Sequence, residues 1–82
     1  MRFVLYSRAG CGLCAEMLAE LAALPAAAAV PLDVVDVDLD PATRMRFGHK
    51  IPVLLLDGEL ICHGRLEAGE VHKALMCDRR PV

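Results

Sequence analysis

At 82 residues, with a formal net charge of -2 and no long one-sign run of charges, the chain has the size of one small domain, which we expect to span residues 1–82. This charge balance argues against nucleic-acid binding, and no apolar stretch approaches the roughly 20 residues that a membrane span requires. The first residues lack the pattern of a secretory signal peptide, so we expect a cytoplasmic protein with no membrane partner.

The first element is a short apolar run, RFVLY (residues 2–6), which predicts a buried strand. The loop SRAG follows this strand and leads directly to Cys11-Gly12-Leu13-Cys14. In the reducing cytoplasm, a pair of cysteines at this spacing indicates redox or metal chemistry more than a structural disulfide.

A helix is predicted after the cysteine pair, because apolar residues recur at helical spacing while the glutamates fall on another face. Its apolar positions are Met17, Leu18, Leu21 and Leu24. Pro25 helps to end this helix, and we expect the stretch PAAAAVP, residues 25–31, to be a plain connection.

A second strand is predicted in the segment LDVVDVDLD, residues 32–40, where apolar residues alternate with aspartates from Val35 onward. The alternation places one set on the buried side, Val35, Val37 and Leu39, and a second set in water, Asp36, Asp38 and Asp40. Calcium-binding loops begin with a similar acidic spacing, but Pro41 and Phe47 would stand where such a loop needs Gly and Glu, so we reject calcium binding.

Three further elements are predicted in the second half of the chain. Asp40 and Pro41 begin a helix of about two turns that ends near Gly48. A β-hairpin follows around Asp57-Gly58, a dipeptide typical of type I′ turns, with strands over residues 53–56 and 60–62. The last element is an amphipathic helix whose apolar positions are Leu66, Val71, Leu75 and Met76, with Arg79 and Arg80 near its C-terminal end.

The predicted order is βαβαββα, in which the first βαβ unit pairs its strands in parallel and the hairpin adds antiparallel strands to the same sheet. With this order, the chain resembles the thioredoxin superfamily and, more closely, its small glutaredoxin-like proteins. LYSRAGCGLC is similar to the strand, loop and dithiol of that family, and KIPVLLLDG to its proline segment. The resemblance implies an α/β thioredoxin-like fold, with a mixed four-stranded sheet and helices on both faces, and a thiol-disulfide oxidoreductase.

The position of the two cysteines predicts different roles for them. Cys11 stands at a helix N-terminus, where unpaired backbone N–H groups favour the thiolate, which is the nucleophile. Cys14 lies three residues on, on the same helix face and within disulfide reach, at a less exposed position. We therefore predict that Cys11 attacks a substrate disulfide and that Cys14 resolves the resulting mixed disulfide.

The resemblance implies five residues at the substrate site. Gly12 and Leu13 hold the positions that influence redox potential in this family, although glutaredoxins commonly begin that pair with Pro. Pro52 resembles a cis proline opposite the dithiol, which presents the backbone of the preceding residue, Ile51, to an extended substrate. Arg8, three residues before the dithiol, resembles a basic residue that binds the glutathione carboxylate or stabilises a thiolate.

The expected partner is a disulfide-containing protein or a small thiol substrate, and we expect a monomer. Glutathione and a thioredoxin-type reductase are both candidate reductants, and no bound cofactor is predicted. Glutaredoxins usually carry a Gly-Gly pair after the last strand, where this chain reads ICHGRLE and keeps only Gly64. We therefore expect glutathione-dependent reduction to be weaker than that of a glutaredoxin.

Two other functions stay open at this point: metal binding through the CxxC, as zinc or an iron–sulfur cluster, and a redox-inactive binding module. A zinc site needs about four ligands, and candidates to complete it are Cys62, His63, His72 and Cys77. None of these forms a second CxxC or HxxxH unit, so no metal ligands are assigned. Free cysteine packs as a small hydrophobe, so we expect Cys62 to be a buried strand residue and Cys77 a helix-end residue.

Overall fold

The computed structural model describes residues 1–76. The strands are β1 (Phe3–Ser7), β2 (Leu32–Asp36), β3 (Val53–Leu56) and β4 (Glu59–His63). The helices are α1 (Gly12–Ala23), α2 (Pro25–Ala28), α3 (Pro41–Phe47) and α4 (Ala68–Met76), with a 3₁₀ turn at Val37–Leu39. The predictions for Cys77, Arg79 and Arg80 lie outside the described residues.

The four strands form one mixed sheet in the order β2-β1-β3-β4. β1 pairs in parallel with β2 and antiparallel with β3, and β3 pairs antiparallel with β4. Because β1 is central, its last residues lie beside the end of β2 on one side and the start of β3 on the other. Ser7 lies opposite Asp36, and Tyr6 lies opposite Val53. The loop that carries the cysteines therefore leaves the sheet where segments from both neighbouring strands meet.

Helices cover both faces of this sheet. Phe3 and Leu5 of β1 are buried in the main core together with side chains of α1 and α4. Successive strand residues point to opposite faces, so Tyr6 faces the other way. Its ring stacks on that of Phe47 at the end of α3, with ring centroids 4.6 Å apart. The prediction of a mixed four-stranded sheet with helices on both faces is confirmed.

The main core lies between one face of the sheet and α1, α2 and α4. Its buried members are Phe3, Leu5, Met17, Leu21, Ala27, Leu54, Leu56, Cys62, Leu66, Val71 and Ala74. Full burial of a large apolar side chain contributes about 1.5–3 kcal/mol, so this cluster holds α1 firmly against β1 and β3. The prediction that Cys62 is a buried strand residue is confirmed.

The end of β2 differs from the prediction. The carboxylate of Asp36 accepts a hydrogen bond of 2.8 Å from the backbone N–H of Asp38, as aspartate often does two residues on. This bond begins the 3₁₀ turn and ends the strand alternation. Val37 is buried as expected at 0% exposure, but Leu39, predicted on the same face, is 82% exposed.

Other local expectations were partly wrong. Pro25–Ala28 forms one helical turn in place of a plain connection, because proline suits the first helical position and alanine has the highest helix propensity. Leu18 and Met76, both assigned to apolar helix faces, are exposed. The hairpin is confirmed, with Asp57 and Gly58 at φ values of 51° and 86° as a type I′ turn requires.

The second-half helix at Asp40 and Pro41 is also confirmed, since α3 begins at Pro41 and ends before Gly48.

Among residues 1–76, no helix has the length and apolar character needed to cross a membrane.

The 3₁₀ turn predicts that two substitutions within it have different effects on the free energy of unfolding. Val37→Ala should lower the free energy of unfolding by about 2 kcal/mol, because it removes two methyl groups from a fully buried side chain. Leu39→Ala should change it by less than about 0.5 kcal/mol, because that side chain is in water. Urea unfolding of both variants measures this difference, and equal losses would show that the strand alternation continues past Asp36.

Candidate active site

The loop between β1 and α1 positions the cysteine pair. Gly10 adopts a φ of 77°, a backbone region that side chains with a Cβ rarely occupy. The chain reverses there, and the backbone N–H of Cys11 donates to the carbonyl of Arg8 at 3.2 Å. The turn delivers Cys11 to the first position before α1.

Cys11 is the N-cap residue of α1, with extended backbone angles. Its Sγ accepts a hydrogen bond of 3.3 Å from the backbone N–H of Cys14. In most helices an oxygen of Ser, Thr, Asp or Asn makes this contact. The sulfur therefore faces the unpaired N–H groups and the positive end of the helix dipole, which favour a negative charge.

The two thiols differ in accessibility. Cys11 is half-buried, whereas Cys14 is buried beneath the first turn of α1. Gly12 and Leu13, which separate them, are both exposed, and Leu13 is 55% exposed despite being apolar. A substrate can therefore approach Cys11 across the first turn of the helix.

The environment also separates the acidities of the two thiols. The hydrogen bond from the Cys14 thiol, followed by the backbone N–H groups of Cys14 and Leu13 and the charge of Arg8, lowers the pKa of Cys11. Burial, aided by the neighbouring Cys11 sulfur, raises the pKa of Cys14 to about 11. Burial likewise raises the pKa of Cys62. Of these three thiols, Cys11 ionises first as the pH rises.

Arg8 forms an ion pair that the sequence did not predict. Its Nε donates to Asp38 Oδ2 at 2.7 Å, and its Nη2 donates to Asp38 Oδ1 at 3.0 Å. This pairing lowers the pKa of Asp38 and raises that of Arg8. Asp38 is exposed, as expected, but it belongs to the 3₁₀ turn, which brings its carboxylate back toward the dithiol loop.

The proline segment lies at the same end of the sheet. The Ile51-Pro52 peptide bond is cis, as the resemblance implied. Pro52 is buried directly before β3, and its carbonyl accepts a hydrogen bond of 2.8 Å from the N–H of Gly64. Ile51 is half-buried. Because Val53 pairs with Tyr6, this segment starts its strand beside the end of β1.

A cavity of about 310 Å³ lies beside α1 and reaches Leu13, between the two cysteines in the sequence. Its lining residues are Leu13, Glu16, Met17, Glu20, Gly64, Arg65 and Leu66. The sequence analysis did not assign the two glutamates or Arg65 to a site. The four-residue spacing of the glutamates on one helix face is the signal that could have grouped them.

The described part of the chain offers no cluster of ligands for the zinc site considered above. Within residues 1–76, no group of three or more His, Cys, Asp or Glu side chains is placed to hold a metal ion. Cys62, one of the four candidates to complete such a site, is buried in the main core.

Solved structures with a similar fold were found. Protein Ne2328 from Nitrosomonas europaea, determined by NMR, has a TM-score of 0.78 at 28% identity and covers 89% of this chain and 88% of its own. The X-ray structure of XcR50 from X. campestris has a TM-score of 0.69 at 27% identity, with coverage of 89% and 93%. A mutant of the thioredoxin-like protein BC3987 shares the fold, with a TM-score of 0.62 at 20% identity over 89% and 97% of the two chains.

Sequence relatives include the uncharacterized proteins Mb0520 of Mycobacterium bovis and Rv0508 of Mycobacterium tuberculosis. Each is 37% identical over 59 residues, which cover 66% of this chain and 61% of the relative. The chain thus spans about three-fifths of the length of these relatives. The family model described as Glutaredoxin-like domain (DUF836) matches residues 2–76. By this match, the chain belongs to the glutaredoxin-like domain family, and its fold is thioredoxin-like.

Proposed function

We propose that this protein is a thiol-disulfide oxidoreductase that reduces disulfides with the Cys11–Cys14 dithiol. One observation carries the proposal: the Cys11 sulfur caps α1 and accepts the backbone N–H of Cys14 at 3.3 Å. This arrangement gives one accessible thiol of lowered pKa next to a second thiol that stays protonated at neutral pH. A nucleophile and a resolving thiol need that difference.

In the first step, the Cys11 thiolate attacks one sulfur of the substrate disulfide. A bond forms between Cys11 and that sulfur, the substrate S–S bond breaks, and the other substrate sulfur leaves as a thiolate that takes up a proton. The exposed Gly12 and Leu13 leave room for the incoming disulfide. The enzyme and half of the substrate are now joined as a mixed disulfide.

In the second step, Cys14 attacks the Cys11 sulfur. Part of what raises the pKa of Cys14 is its hydrogen bond and charge interaction with Cys11. Formation of the mixed disulfide removes the negative charge from Cys11 and with it this contribution, so Cys14 loses its proton more readily. The Cys14 thiolate then displaces the second substrate thiol, and the enzyme is left with a Cys11–Cys14 disulfide. Two electrons have passed to the substrate.

The substrate-contact roles of the other predicted residues belong to the same proposal. The bond between Pro52 and Gly64 fixes the orientation of the proline segment, and the preceding backbone of Ile51 can pair with an extended substrate. Arg8 adds positive charge near Cys11. Glutathione or a thioredoxin-type reductase returns the oxidised pair to the dithiol, without a bound cofactor.

The division of roles between the cysteines predicts a trapped intermediate. Cys14→Ser should form a single mixed disulfide at Cys11 with a disulfide-bonded peptide and then stop, because the resolving thiol is absent. Cys11→Ser should form little adduct at Cys14, which is buried and protonated. Intact-mass and peptide mass spectrometry measure both, with Cys62→Ser as the matched control that should behave as wild type. Preferential adduct formation at Cys14 would reverse the roles, and no adduct in either variant would indicate a redox-inactive module.

The cause of the Cys11 acidity predicts a difference between two substitutions at one position. The rate at which iodoacetamide alkylates Cys11 should rise as the pH passes the pKa of this thiol. This rise should occur at a lower pH than for a thiol in an unstructured peptide. Cys14→Ala should move this rise to higher pH because it removes the side-chain hydrogen bond that is the largest cause of the lowered pKa. Cys14→Ser should move it less, because the hydroxyl still donates. Identical profiles for the two variants would contradict this assignment.

A further inference from the structure

Arg8 is held by Asp38 in a geometry that a substrate carboxylate would otherwise adopt. Two of the three guanidinium nitrogens donate to the two Asp38 oxygens, at 2.7 and 3.0 Å. The planar guanidinium fork matches a carboxylate in this two-bond manner, which makes arginine a common ligand for anionic substrates. Here the fork is matched by a carboxylate of the same chain.

Arg8 belongs to the loop that carries the dithiol, and its charge acts on Cys11. Its carbonyl accepts the Cys11 N–H at 3.2 Å, and its positive charge contributes to the lowered pKa of Cys11. The charged groups of a disulfide bound at Cys11 would therefore interact electrostatically with this ion pair.

Besides the Arg8–Asp38 pair, three carboxylates and two arginines lie near the dithiol, and one of these arginines, Arg44, interacts electrostatically with Asp38. Asp36 interacts electrostatically with Arg8 in addition to Asp38. The cavity beside Leu13 is lined by Glu16, Glu20 and Arg65. With the charge of Arg8 matched by Asp38, the surroundings favour positively charged groups over carboxylates.

We propose that Asp38 is a specificity-determining residue, which withholds Arg8 from carboxylate-bearing disulfides and directs Cys11 toward disulfides that carry positive charge near their sulfurs. The inference rests on the proposed function, because it concerns the substrates of the same thiol. A carboxylate substrate has to displace Asp38, which competes at the high effective concentration of a group in the same folded chain. A cationic substrate has no such competitor.

The test compares two small disulfides of opposite charge, oxidised glutathione and cystamine. Their rates of mixed-disulfide formation at Cys11 are measured in the Cys14→Ser background, at low ionic strength, with and without Asp38→Asn. We expect the ratio of the glutathione rate to the cystamine rate to rise about three- to tenfold in Asp38→Asn, as the loss of one nearby charge implies. Because the ratio uses one nucleophile with both probes, a general change in thiolate reactivity cancels.

Asp33 supplies a matched control at the other end of β2. Its carboxylate is exposed like that of Asp38 and accepts two hydrogen bonds from Nη1 of Arg2, at 3.1 and 3.2 Å. Asp33→Asn removes the same charge from the protein and should leave the ratio within about 1.5-fold of its starting value, because it lies several strand residues away from the dithiol. Asp38→Glu keeps the charge, so its ratio of the glutathione rate to the cystamine rate should stay close to that measured with Asp38 in place.

The outcomes separate this inference from the proposed function. An unchanged ratio in Asp38→Asn, or an equal rise in Asp33→Asn, would overturn the role of Asp38 while leaving disulfide exchange intact. Failure of both probes to form an adduct at Cys11 would overturn the proposed function and this inference with it. If Asp38→Asn does not fold, Asp38→Ser, which also removes the charge, is measured in its place. Added salt should reduce the difference in the glutathione to cystamine ratio between wild-type Asp38 and the uncharged variant by screening, and a difference independent of salt would contradict the inference.

Discussion

The hydrogen bond from the backbone N–H of Cys14 to the sulfur of Cys11 explains why two residues separate the two cysteines. Cys11 is the N-cap of α1, and Cys14 holds the third helical position. A capping side chain reaches the N–H of the second or third helical residue. The CxxC spacing therefore gives the capping sulfur its hydrogen-bond donor and places a second thiol next to it in one local contact.

The cap depends on a rigid sheet behind it. Leu5 and Leu54 on two neighbouring strands are buried in the same core cluster as Met17 of α1, so the helix start is fixed relative to the end of β1. The register that places Tyr6 opposite Val53 sets Pro52 at the same end of the sheet. Packing thus determines where the substrate-facing backbone lies relative to the dithiol. The residues of the loop between β1 and α1 determine the chemistry of the dithiol.

Most of the fold could be predicted from local patterns. The Asp57-Gly58 turn, the proline at the start of α3 and the change from strand to helix period around the dithiol each have a short-range physical cause. The end of β2 was mispredicted because two local signals compete there. Alternation favours a continued strand, whereas the Asp36 carboxylate captures the N–H of Asp38 and starts a 3₁₀ turn.

The site was predictable only in part. Cys11, Cys14 and Pro52 lie in recognisable short segments, but Arg8 and Asp38 are 30 residues apart in sequence. Their pairing depends on the parallel register of β1 and β2 and on the mispredicted turn, so no local sequence pattern predicts it. The same holds for the cavity that joins Glu16 and Glu20 to Arg65, which exists only once α1 packs beside the segment after β4.

The central claim is that Cys11 and Cys14 form a reversible redox pair. The most direct measurement equilibrates the protein with graded ratios of reduced and oxidised dithiothreitol, blocks free thiols by alkylation and maps the cysteines by peptide mass spectrometry. The account predicts one transition in which Cys11 and Cys14 become linked to each other and are released together, while Cys62 stays a free thiol at every ratio. Absence of this link across the full range, or a disulfide that involves Cys62, would contradict it.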